Sequence, residues 1–116
     1  MAYSELLADR VREYLADLPM LEEKEMFGGL VFMYNGKMCL GIIRDGMMCR
    51  IDPDLFDEML EKQGVNSLAS PASSMKGFIV VDQAALRTRK EFEYWIELAL
   101  AFNKKAKKTI KKKSKQ

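Results

Sequence analysis

The sequence predicts an α+β domain in which an antiparallel sheet, a meander plus a further strand, carries helices packed on one face. Three observations carry that reading. The pairs Asn35-Gly36 and Asp45-Gly46 each divide short apolar runs, the pattern of two-residue hairpins whose left-handed turn positions suit Asn, Asp and Gly. Three capped stretches repeat apolar residues at helical spacing. With 116 residues, 48% hydrophobic and 31% charged, the chain can bury one core and keep one polar surface.

The elements follow in chain order. Residues 4–17 form a helix with Ser4 as N-cap and Leu7, Val11, Tyr14, Leu15 and Leu18 on one face. Leu18-Pro19 ends it, because proline disfavours a helical residue before it. Segment 22–27 enters the sheet through a bend or bulge at Gly28-Gly29. The meander strands are 29–34, 38–44 and 47–51. Asp52 caps a second helix over 53–63, with Pro53 in its first turn, and Gly64 stops it. Residues 65–74 form a polar loop and 75–81 a fourth major strand. Thr88 and Glu91 have capping-box spacing and open a helix over 88–104 whose buried stripe is Phe92, Trp95, Ile96, Ala99 and Phe102.

Turn chemistry then sorts the sheet faces. Pairing 34 with 37 and 44 with 47 places Val31, Met33, Met38, Leu40, Ile42, Cys49 and Ile51 on a wholly apolar face that receives the helices. The other face holds Leu30, Phe32, Tyr34, Lys37, Cys39, Gly41, Ile43, Met48 and Arg50. It is too apolar to be simply solvated and too mixed to be deep core, so a second covering layer, a partner subunit or a ligand groove would each account for it. Leu30, Phe32, Tyr34, Cys39, Ile43 and Met48 are therefore the candidate interface, with a homodimer the expected partner arrangement. The same register puts Cys39 and Cys49 on opposite sides, so both are expected as free thiols.

Composition removes whole classes of chemistry. The chain has no histidine, which excludes Ser-His-Asp triads, Cys-His dyads and histidine metal sites. Nine methionines fall mostly at core positions, and no constellation joins a general acid, a base and a nucleophile. No catalytic residue, cofactor or metal is expected. No apolar run approaches the ~18 residues of a membrane span, and two cysteines make no disulfide framework, so the expected setting is cytoplasmic and membrane-free.

Charge divides the chain in two. Residues 1–103 carry eleven basic against seventeen acidic side chains, a net −6. Residues 104–116 carry Lys104, Lys105, Lys107, Lys108, Lys111, Lys112, Lys113 and Lys115 and no acid. This tail reads as a disordered, solvated end first, and as a non-specific electrostatic arm for nucleic acid second.

The stretches MFGGLVFMYNGKMCLGI (26–42), MMCRIDPDLFDEML (47–60), SMKGFIVVD (74–82) and EFEYWIELALAF (91–102) together resemble the TfoX N-terminal-domain family, over residues 3–103. The likeness is to its small stand-alone members, and its most specific parts are Met26-Phe27-Gly28-Gly29, Arg50 and Met75-Lys76-Gly77-Phe78. The resemblance implies a compact α+β domain and a tie to transcriptional regulation, since the full-length TfoX/Sxy regulators promote competence gene expression alongside the cyclic-AMP receptor protein. It implies no catalytic residue. The leading expectation is a non-enzymatic interaction module with a self-associating or regulatory protein partner. The alternative is a small-molecule or enzymatic domain using the second sheet face, with Arg50 as anion anchor. The bland counterpart is a strand arginine paired with Asp52.

Overall fold

A computed structural model describes residues 3–26, 28–68 and 77–106. Helix α1 (Glu5–Tyr14) starts on Ser4, whose hydroxyl accepts the Leu7 N–H at 3.1 Å. It ends before the predicted 17 because Ala16 and Leu18 already bond three residues back, to the Glu13 and Leu15 carbonyls, ahead of Pro19. Six strands follow around the other elements: β1 (Leu21–Met26), β2 (Gly29–Tyr34), β3 (Lys37–Ile43), β4 (Gly46–Arg50), β5 (Val65–Ser67) and β6 (Phe78–Val81). They make one antiparallel sheet in the order β1-β2-β3-β4-β6-β5. The α+β class and the meander stand as predicted. Strand β1 forms one edge, and its exposed Glu22, Glu23, Lys24 and Glu25 keep that edge polar.

The first hairpin turns at Asn35-Gly36, both left-handed at φ 56° and 77°. The second turns one residue earlier than predicted. Ile43 pairs with Gly46, so Arg44 and Asp45 make the turn and Arg44 takes φ 57°. The N-terminal segment holds it there, through a bridge between Tyr3 and Arg44 and a 2.7 Å bond from the Ser4 N–H to the Arg44 carbonyl. This moves the register by two residues and so preserves the faces of β3 and β4.

The β2–β3 register breaks the predicted face assignment. Phe32 pairs with Leu40 but Met33 pairs with Met38, leaving Cys39 as a bulge. Beyond it, every side chain of β2 sits on the face opposite to the one an unbroken ladder would give. Leu30 and Phe32 therefore join Leu40, Ile42, Met47, Cys49, Ile79 and Val81 under the helices. Val31, Met33, Met38 and Met48 gather on the other face, with Met26, Ile43, Leu68, Phe78 and Val80 packed around them. All four central residues are at most 5% exposed, so this side is a second, smaller core.

Asp52 accepts the Asp54 N–H at 2.9 Å and caps a 3-10 turn, Pro53–Leu55, which leads into α2 (Phe56–Leu60). The predicted single helix over 53–63 is thus shorter and begins as a tighter coil. Residues 65–67, predicted as loop, are the edge strand β5, held to β6 by a register that sets Val65 opposite Val81. The rest of that loop and Met75-Lys76 of the predicted strand lie outside the described residues. A 3-10 turn, Gln83–Leu86, precedes α3 (Arg89–Asn103). The Thr88–Glu91 capping box forms as predicted, and Phe92, Trp95, Ile96 and Ala99 are buried. Helices α1, α2 and α3 share the core with one sheet face. Among the described residues no helix is long and apolar enough to cross a membrane.

Candidate functional site

The six residues predicted as an interface do not form one patch. Leu30, Phe32 and Cys39 are buried in the helix-side core, and Tyr34 packs against its edge. Ile43 and Met48 belong to the opposite face, where Met48 is fully buried. The bulge at Cys39 causes the split.

It also brings Cys39 and Cys49 into the same cluster, correcting their assignment to opposite faces. Both are free thiols. Burial pushes the Cys39 thiol up to about 12, a rise that the positive charge of Arg50 opposes. Complete burial, with the neighbouring Cys39, pushes Cys49 still further above the ordinary thiol range. Burial thus favours the protonated thiol at both positions. Among the described residues no three His, Cys, Asp or Glu side chains converge to hold a metal ion.

Arg50 is half-buried. Its guanidinium lies 5.4 Å from the ring centre of Phe78, its partner across the β4–β6 ladder, and 5.8 Å from that of Phe102 on α3. Burial lowers its pKa, while Cys39 raises it. Asp52, the acid expected beside it, is held by Lys105 at 3.3 Å and by the Asp54 N–H, which is the main reason its pKa falls. Aromatic packing ties the side chain of Arg50 into the join between α3 and the sheet.

That join contains the residue sequence reasoning missed. Asn103, in the last turn of α3, is buried and donates its side-chain N–H to the Tyr34 carbonyl at 3.3 Å. Its own carbonyl accepts from Lys37 Nζ at 2.9 Å, which places a cation at the negative end of the helix. Its Oδ1 has no hydrogen-bond partner among the described residues. The position falls one helical turn beyond Ala99, so a reading for apolar stripes could have flagged Asn103 as a polar residue on the buried face. Of the tail lysines, Lys104 and Lys105 fall within the described residues, and Ala106 beyond them is buried; Lys107, Lys108, Lys111, Lys112, Lys113 and Lys115 lie outside. The predicted tail boundary at 104 therefore includes residues that pack.

The most specific motifs answer to backbone geometry. Gly28 is left-handed at φ 73°, and a Cβ on Gly29 would collide with the Ile42 carbonyl oxygen. Gly77, at φ 101°, would bring a Cβ to 2.9 Å from the Ile51 carbonyl oxygen while its own carbonyl accepts the Ile51 N–H. Phe27, Met75 and Lys76 lie outside the described residues.

A polar depression between α1 and α3 is lined by Arg10, Tyr14, Arg89 and Glu93, among others. Its charges close on the protein itself. Arg89 bonds Glu93 at 2.7 Å, the Tyr14 hydroxyl donates to Glu97 at 2.6 Å, and Arg10 lies 4.1 Å over Phe92. No curated protein and no solved structure matches the chain. A family model, TfoX N-terminal domain, matches residues 13–103, from within α1 to the end of α3 and across every strand between. The chain belongs to the TfoX N-terminal domain family.

Proposed function

We propose that this protein is a non-enzymatic interaction module of transcriptional regulation, working through a protein partner. The observation that carries the reading is the family match over residues 13–103, which takes in the whole sheet, α2, α3 and the end of α1. Two features support it. The motif glycines serve chain geometry, and the two thiols are buried, which pushes both above the ordinary thiol range. The split of the predicted interface takes away the apolar patch that argued for a homodimer, which favours a partner other than a second copy of the chain.

Full-length regulators resembling this chain act alongside the cyclic-AMP receptor protein, which makes that protein the first partner to test. The full chain is titrated into purified cyclic-AMP receptor protein bound to a labelled operator duplex, with fluorescence anisotropy as the readout. Saturable formation of a larger complex in the micromolar range is the expected result. No complex at high micromolar concentration, with or without cyclic AMP, contradicts this choice of partner.

A further inference from the structure

The opposite end of α3 presents a groove of about 480 Å³, within the size range of small-molecule sites, between its first turns, the chain that follows α2 and the 3-10 turn at 83–86. Its walls are set by the main chain. The Asp82 N–H bonds the Gly64 carbonyl at 2.7 Å, and the Ala85 N–H bonds the Asp82 carbonyl at 2.9 Å. Aromatic rings form its floor. Trp95 is 4% exposed and Tyr94 is 44% exposed, and their rings meet edge to face at 4.9 Å. The Tyr94 hydroxyl rests 3.7 Å from Met59 Sδ, which holds the ring in place.

Two exposed lysines line the groove from different elements, Lys62 after α2 and Lys90 in the first turn of α3. Lys62 Nζ stands 5.8 Å from the centre of the Tyr94 ring. The one carboxylate in the lining, Glu91, is turned to the helix cap, accepting the Thr88 N–H at 3.2 Å and the Thr88 hydroxyl at 3.1 Å. An aromatic floor with two ammonium groups is thus set into a body that carries a net −6 over residues 1–103. The shape and the charge call for one ligand with an apolar ring and an anionic end.

We propose that this groove binds a small aromatic carboxylate, its ring against Tyr94 and Trp95 and its carboxylate between Lys62 and Lys90. The site does not depend on the proposed function: it stands whether or not the cyclic-AMP receptor protein is the partner. The ring gains from burial against an aromatic surface, and the carboxylate gains from ammonium groups beside a low-dielectric wall.

Trp95 is the only tryptophan of the chain, so intrinsic emission reports directly on the groove. The full chain is titrated with 3-phenylpropionate and, separately, with its neutral analogue 3-phenylpropanamide. The expected result is a saturable change in emission, with the carboxylate bound at least about tenfold more tightly than the amide. A Lys62→Gln/Lys90→Gln variant keeps the wild-type melting temperature, because both side chains are exposed, and loses that preference. Equal binding of acid and amide by the wild type overturns the proposal. So does a preference that survives in the double variant, or the absence of a saturable response up to about 10 mM, where a fragment of this size should register.

Discussion

The two faces of the sheet are both buried, but they are built from different materials. The helix side is mostly branched and aromatic, with Phe32, Leu40, Ile42, Ile79 and Ile96 all fully enclosed beside a single sheet methionine, Met47. The other side is centred on Met33, Met38 and Met48 with Val31. Shape-defined side chains lock helices at fixed positions, whereas unbranched thioethers adapt to whatever space remains. The difference teaches that a large apolar area on a sheet is no sign of an interface. Here one bulged residue decides which side chains go to which core.

The largest effect expected is at Phe32. Phe32→Asp puts a charge at the centre of the helix-side core and should cost at least about 4 kcal/mol, leaving no cooperative unfolding transition. On the unbroken register the same change would lie on the second face and shift only association. A folded, monomeric variant with wild-type melting would therefore break the comparison between the faces.

Alkaline pH probes the helix side a second way. Cys39 and Tyr14 are both pushed up to about 12, Cys39 chiefly by burial and Tyr14 chiefly by its hydrogen bond to Glu97. Their neutral forms are favoured by folding, so the associated stability is complete below the ordinary thiol pKa. It is lost as pH rises from about 9 through 12, because the unfolded chain gives up these protons first. Urea midpoints taken across that window should fall steadily, and a flat profile would mean that the fold holds neither group in its neutral form.

Asn103→Ala should cost about 1–3 kcal/mol, the range for breaking a buried hydrogen bond and leaving the Tyr34 carbonyl without that donor. The smallest effect belongs to the second face. Met38→Leu conserves volume in an adaptable setting and should change stability by less than about 1.5 kcal/mol. Equilibrium denaturation of both variants checks these values. A larger loss for Met38→Leu than for Asn103→Ala would show that the methionine face is shape-defined after all.

Much of the fold is legible because its signals are local. The Thr88–Glu91 box, the Ser4 cap and the left-handed Asn35-Gly36 turn each depend on a few neighbouring residues, and each forms as read. What failed depends on partners distant in sequence. The bulge at Cys39 has no glycine to announce it and shows only in how β2 pairs with β3. The Arg44-Asp45 turn is drawn one residue early by Tyr3 and Ser4, which no reading of 42–47 alone contains. Strand β5 is too short to show alternation and exists because β6 pairs with it. The candidate site fared worse for the same reason. A one-residue register error moves a whole strand's side chains from an imagined surface into the core.

The central claim, that the bulge carries Cys39 under the helices, is tested most directly by thiol accessibility. The native protein is mixed with Ellman's reagent at pH 8 and the release of chromophore is followed against a urea-unfolded sample. The account predicts two thiols titrated after unfolding, and none reacting in the native state faster than the protein opens. One thiol reacting at the rate of a small free thiol would place Cys39 in solvent and restore the unbroken register.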